Sequence, residues 1–263
     1  PIGTMWGYEK QGVFAYDESN AFTPEGVQLS PVFDDRENFI KYQLNGQDYA
    51  GDIVNLKYNS KEGEKFKGGD VLWNDINNDG VIDADDQKVI GNGQPDLTGG
   101  FLNDFKYKNF NFSVFFNFSI GNDIYNKNKA NDNTFGVSSL TRPNPVILRN
   151  SWTAPGDIAL YPRPQGGLAG VQNTRYESSM WVEDGSFIRL KSIRMGYDID
   201  QMIIRKMHIQ SANVYVMLQN YFTWTNYTGF DPEIGAGGIF AIGYDGTTYP
   251  RSKEIVVGLS VNF

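Results

Sequence analysis

Five segments of the chain alternate apolar and polar side chains with the period of two that marks a β-strand. In the last of them, Ile255, Val257, Leu259, Val261 and Phe263 share one face. Glu254, Gly258, Ser260 and Asn262 oppose them, with Val256 as the exception. Phe110, Phe112, Val114, Phe116, Phe118 and Ile120 alternate in the same way with Asn111, Ser113, Asn117 and Ser119, broken by Phe115. Phe101, Phe105 and Tyr107 oppose Asp104 and Lys106, and Ile193, Met195, Tyr197 and Ile199 oppose Ser192, Arg194, Gly196 and Asp198. Val214, Val216 and Leu218 form one face of a mixed segment, Tyr215 and Met217 the other. The predicted strands are 98–107, 110–121, 187–199, 208–221 and 253–263, each about the length that crosses a bilayer at the tilt of a barrel strand.

A strand with one apolar face also suits a soluble sandwich, so alternation alone does not choose between them. The connections do. A short turn around Lys108-Asn109 joins two strands, and a few residues near Gln201–Lys206 join two more. By contrast, about sixty-five residues separate Gly121 from Phe187, and about thirty separate Tyr221 from Lys253. Compact soluble domains rarely carry such loops, whereas outer-membrane barrels pair short periplasmic turns with long extracellular loops. The predicted fold is all-β: an antiparallel transmembrane β-barrel with long extracellular loops. Residues 98–263 hold its strands. Residues 1–97 read as a strand over Trp6–Tyr16 and a long extracellular loop, polar from Ser19 to Gly69, with one short helix near Asp34–Tyr42. Five spanning strands and one more are too few for a transport barrel, so the chain reads as part of a longer protein.

Composition narrows the chemistry. The chain is 40% hydrophobic, 21% charged and 14% aromatic, with 29 glycines, a mixture that favours β structure rich in turns. No run approaches the roughly 18 apolar residues of a spanning helix, and the start at Pro1-Ile2-Gly3 has none of the features of a signal peptide. Cysteine is absent, which removes disulfides, thiolate metal sites and thiol nucleophiles. A net charge of −8 without any basic cluster argues against a nucleic-acid partner.

The sharpest chemical motif runs from Asp75 to Asp86. Oxygen ligands at positions 1, 3, 5, 9 and 12 of an EF-hand-like loop fall on Asp75, Asn77, Asp79, Asp83 and Asp86. Gly80 stands at position 6, where the chain must turn sharply, and Val81 offers its backbone carbonyl at position 7. Hard oxygens at this spacing suit Ca²⁺, with Mg²⁺ as the alternative ion and an ion-free Asx-rich turn as the competing reading. Aspartate at position 12 reaches less far than glutamate, which favours monodentate ligation and weaker binding. The expected role is structural, bracing a long loop. His208, the single histidine, is an ordinary polar residue at a strand start.

Several blocks together resemble the SusC/RagA-like TonB-linked outer-membrane proteins. They are Gly69-Asp70-Val71 with the run Asp75–Asp83 and Val89-Ile90-Gly91-Asn92, and Val182–Lys191 followed by Met195-Gly196-Tyr197. The others are Gln219–Thr223 with Tyr227–Glu233, and Tyr249-Pro250-Arg251 before the last strand. They run in family order along most of the chain. The resemblance implies a 22-stranded TonB-dependent transporter barrel, of which these are the C-terminal strands and Phe263 ends the closing one. It further implies a plug within the barrel and a SusD-like surface lipoprotein as a lid. Uptake of oligosaccharides or peptides across the bacterial outer membrane would be powered through the TonB complex. The plug and N-terminal barrel strands are not in this sequence, so the rest of the same transporter and the lipid bilayer are expected partners.

On that reading the long loops reach the cell surface, where Trp152, Tyr161, Arg163 and Trp181 are candidates for ligand or lid contact, since aromatics stack on sugar faces and Arg anchors polar groups. Packing of the loops against themselves accounts for the same residues equally well. The alternative function is a soluble, Ca²⁺-stabilised β-rich module that binds a glycan or a protein. An enzyme is not expected, because no two carboxylates are singled out as acid and base.

Overall fold

A computed structural model of the chain describes residues 3–132, 145–164, 177–205, 208–233, 242–246 and 249–263. Five long strands form one antiparallel sheet in sequence order. They are Leu97–Tyr107, Phe110–Ile120, Phe187–Asp198, Ser211–Thr225 and Glu254–Asn262, referred to below as the first to fifth long strands. Four of them match their predicted spans to within a residue or two. The fourth begins later and runs further than 208–221, because the preceding stretch closes a turn. Asp200 caps the short helix Gln201–Ile204 through Met202 N–H, and His208 adopts a positive φ of 57°.

Register decides which side chains share a face. Phe101 pairs with Phe116, Phe105 with Phe112 and Tyr107 with Phe110. Phe112 then pairs with Met195, Met195 with Val216 and Val216 with Val257, so one apolar face runs unbroken across all five strands. That face is exposed: Phe101, Phe105, Met195 and Val257 keep between 59% and 71% of their surface. In water, apolar patches beyond a few hundred Å² are rare. A membrane barrel turns such a face to lipid and its polar face to the lumen. Aromatics mark the two ends of the band. Tyr107, Phe110 and Tyr197 stand at the short-turn end, Phe222 and Trp224 at the other. Nine residue steps separate Ile188, the partner of Trp224, from Tyr197. At about 3.3 Å each that is about 30 Å of strand, or about 21–25 Å of height at a barrel tilt.

The opposite face is polar. Asp104 pairs with Ser113, Ser113 with Arg194, and Asn117 with Arg189. The register slips in the third strand between Leu190 and Ser192. This bulge leaves Lys191 unpaired and allows Lys191 to join Arg189 over the same carboxylate on the polar side.

The chain divides into two compact units, and not at residue 97. One contains 1–3, 92–126 and 183–263, the other 4–91 and 127–182. The second has an ordinary apolar core, with Phe14, Phe66, Trp73, Val71 and Ile82 all but fully buried. Its strands are short: Thr4–Tyr8 pairs with Gln87–Asn92, and Lys10–Val13 with Val71–Trp73. Residues predicted as one strand over Trp6–Tyr16 thus form two short ones.

The helix expected near Asp34–Tyr42 is a correction. Ser30–Phe33, Phe39–Leu44 and Gln47–Tyr49 form a three-stranded meander there. Asp34 Oδ1 accepts from the N–H groups of Arg36 and Asn38, and Glu37 takes a positive φ of 63°, which a helix does not tolerate. Asn45-Gly46, both at positive φ, then makes the second hairpin turn, a signal present in the sequence.

Candidate functional site

The loop Asp75–Asp86 is folded by its own side chains. Asp75 Oδ2 accepts from Gly80 N–H at 2.8 Å, drawing position 6 back onto position 1. Asn77 Oδ1 accepts from Asp79 N–H at 3.0 Å and Asp79 Oδ1 from Val81 N–H at 2.8 Å. Gly80 has φ 78°, and a Cβ there would meet Val54 at 2.7 Å, so the turn needs glycine on both counts. Beyond it, Val81 and Ile82 are buried and pair in parallel with Lys57–Tyr58. Their bonds use the Gly80 and Ile82 carbonyls, accepting from Lys57 and Asn59 N–H, and successive carbonyls of a strand alternate in direction. The Val81 carbonyl therefore points away from the partner strand.

Asp83 and Asp86 close the loop. Asp83 Oδ1 accepts from Asp85 N–H, and the two oxygens of Asp86 accept from Ile76 and Asp83 N–H, each at 2.9 Å. Asp86 is completely buried. Burial pushes its carboxyl above the usual range against those two donors, and the nearby Asp75 and Asp83 carboxylates push the same way. Asp75 Oδ1 is buried with no hydrogen-bond partner. An orphaned carboxylate oxygen beside mutually repelling acids is an environment that a cation relieves. Among the described residues, no three His, Asp or Glu side chains converge as a metal cage by themselves. A bound ion would have to draw on Asn77 and the Val81 carbonyl as well.

The four loop candidates are held by their neighbours in the same unit. Trp181 is only 1% exposed and stacks on Tyr161, itself nearly buried, with ring centroids 6.3 Å apart. Lys10 lies over the other ring of that pair, 5.7 Å from the Tyr161 centroid. Arg163 forms an ion pair with buried Asp70 at 3.0 Å. Trp152 Nε1–H donates to the Ala15 carbonyl, and its ring lies where a Cβ on Gly69 would be. Trp152 and Arg163 are the two with surface to spare.

A second polar centre, absent from the candidates named above, stands on the polar face of the five-stranded sheet. Arg189, 3% exposed, pairs with Asp231 through Nη2 and with Glu233 through Nη1 at 2.9 Å. Lys191 and Arg251 Nε each reach Glu233 at 3.0 Å. Asp231 also accepts from Arg251 N–H at 3.1 Å and Glu233 N–H at 2.9 Å. The signal was two like-charged pairs, one basic and one acidic, each at i and i+2: Arg189 with Lys191, and Asp231 with Glu233. Nothing in the sequence said that they meet.

No family model matches the chain. Individual relatives do. The chain is 41% identical over its whole length to TonB-dependent receptor P39 of Formosa agariphila, covering 25% of that protein. It is 29% identical, over 94% of its length, to TonB-dependent receptor SusC of Bacteroides thetaiotaomicron, covering 22% of it. Among solved structures, the RagAB peptide importer in the "closed-closed" state superposes on 99% of the chain and 23% of its own. The TM-score is 0.62 at 21% identity, a likeness of fold. The chain thus spans about a quarter of the length of these relatives, and the five long strands are a stretch of antiparallel barrel wall. Each of these sequence relatives is named a receptor, in keeping with the expectation that the chain is not an enzyme. By its sequence relatives and its fold together, the chain belongs to the SusC/RagA-like TonB-dependent receptors.

Proposed function

We propose that the chain forms part of the barrel wall and surface loops of a bacterial outer-membrane importer. The importer takes up oligosaccharides or peptides together with a SusD-like surface lipoprotein and is driven through the TonB complex. The observation that carries this reading is the unbroken apolar face of the five long strands, exposed on one side and backed by a polar face on the other. A soluble Ca²⁺-stabilised module has no use for such a face. Family membership supports the remainder, since one relative is named SusC and a structural neighbour is a peptide importer. Trp152 and Arg163 are the loop side chains with surface left to offer a ligand or lid.

The test is to isolate the full-length protein from its own membranes. It is expected in the outer-membrane fraction, dependent on detergent, and copurifying with a surface lipoprotein. Recovery as a monodisperse protein in plain buffer would overturn the reading.

The loop Asp75–Asp86 favours a second element, a structural Ca²⁺ held by Asp75, Asn77, Asp79, the Val81 carbonyl, Asp83 and Asp86, with Mg²⁺ as the competitor. The orphaned Asp75 Oδ1 supports it. The ion would join the two halves of the loop and neutralise its clustered acids, and no transport step is routed through it.

A further inference from the structure

The connection that leaves the fourth long strand and returns to the fifth is tied down at several points, each on the polar side of the sheet or at its long-loop end. Asp231 and Glu233, in its first half, are gripped by Arg189, which lies beside Asn117 and Thr223 on the polar face. Asp231 also accepts from the N–H of Arg251, where the connection comes back, so a single carboxylate closes its base. In the second half, Tyr125 N–H donates to the Gly243 carbonyl, and Tyr125 and Asn126 pair with Tyr244 and Asp245. Tyr227 O–H donates to buried Asp245, joining the two halves. Pro232, Glu233, Ile242 and Gly243 line an open cleft of about 490 Å³ with Asn117 and Ser119 of the sheet.

These contacts have one direction. A surface loop free to stand away from the barrel has no need of a buried arginine on the lumen wall. Arg189 is desolvated at a cost that only paired carboxylates offset, and both carboxylates come from the connection. Accepting the importer reading above, we propose that the described stretches 226–233 and 242–246, the base of this connection, are clasped inward over the polar face and narrow the outer mouth of the lumen, with Arg189 as the positioning residue. Passage into the barrel is then limited by these stretches, and the charge cluster sets how far they stand from the wall.

The test uses the full-length protein in intact cells and membrane-impermeant thiol reagents; this chain has no cysteine of its own, and any cysteine in the rest of the transporter is first replaced by serine. Ile242→Cys is expected to react with a small charged maleimide but about tenfold more slowly with a long polyethylene-glycol maleimide, because access needs local opening. In an Arg189→Gln or Glu233→Gln background the difference should largely vanish, with heat-modifiable gel migration showing that the barrel still folds. Should both variants fail to fold, a short bis-maleimide joining Ser119→Cys to Ile242→Cys gives the answer without touching the cluster. Its crosslink is expected, and its absence overturns the inward clasp. Ile158→Cys, at a fully exposed position, is the control for the importer reading. If neither reagent labels it, and protease added to intact cells also leaves the protein uncut, the protein is not at the cell surface and that reading fails. If both reagents label Ile158→Cys and Ile242→Cys alike, the surface location stands and the clasp is wrong.

Discussion

The two compact units of this chain treat the same kind of side chain in opposite ways. In the unit 4–91 with 127–182, Trp73, Trp181, Phe14 and Phe66 are almost entirely buried, and short strands and turns wrap around them. In the five-stranded sheet, Phe101, Phe105, Phe110 and Val257 are more than half exposed although they sit in the most regular structure of the molecule. The hydrophobic effect acts in both. Against water it draws apolar groups together; against lipid it places no penalty on an apolar surface, while every backbone polar group must still be paired. Regular strands with an exposed apolar face and irregular strands around a buried core are therefore two answers to two solvents.

Mutation separates the two answers. The largest effect is expected in the buried core: Trp73→Ala should cost about 3–5 kcal/mol, read as a lower urea midpoint for proteolysis of that unit. A loss below about 1 kcal/mol would mean that the core is loosely packed and the contrast overstated. On the sheet, Val257→Arg should cost about 2–4 kcal/mol for folding into a bilayer. Ser260→Arg, on the lumen side of the same strand, should stay within about 0.5 kcal/mol. Equal penalties for the two would contradict the assignment of faces.

The cation loop comes next. Ca²⁺ at about a hundredfold excess over its Kd should raise stability by about 2.7 kcal/mol. A chelator should remove that gain, and so should the double variant Asp75→Ala/Asp79→Ala. Full stabilisation of the double variant by Ca²⁺ would show that the ligands are wrongly assigned.

The smallest effect concerns acid. Burial pushes the Asp231 carboxyl upward, but the Arg189 guanidinium and the N–H groups of Arg251 and Glu233 more than offset it, leaving it below its ordinary value of 3.8. Its contribution is then complete above that ordinary value and is lost as pH falls through the folded one. Glu233, Lys191 and Arg251 face the same cluster. The ratio of large-reagent to small-reagent labelling of Ile242→Cys, in which the thiol's own pH dependence cancels, should be flat near neutral pH and rise only below about pH 4. A rise near pH 6 would point to a different group.

The strands were legible because a period of two is a local property, set by the opposite directions of successive side chains. Phe110–Ile120 and Glu254–Asn262 could be read to within a residue or two on that basis. The meander at 30–49 was missed although Asn45-Gly46 announced a hairpin, because its strands are short and their alternation is weak. In the cation loop, residue types and spacing were visible, and the hydrogen bonds from Gly80 to Asp75 and from Val81 to Asp79 follow from that order of residues. The Arg189 cluster was not visible as a cluster, since Arg189 lies more than forty residues from the carboxylates it binds and meets them only through a bulge and a folded-back connection.

Alternation, turn chemistry and the spacing of oxygen ligands thus belonged to the sequence alone, because each depends on neighbours within a few residues. Which strands pair, which face meets lipid, and which charges close over the lumen were decided by the tertiary structure. Those depend on register and chain return, where one residue of slip moves a whole strand to the other face.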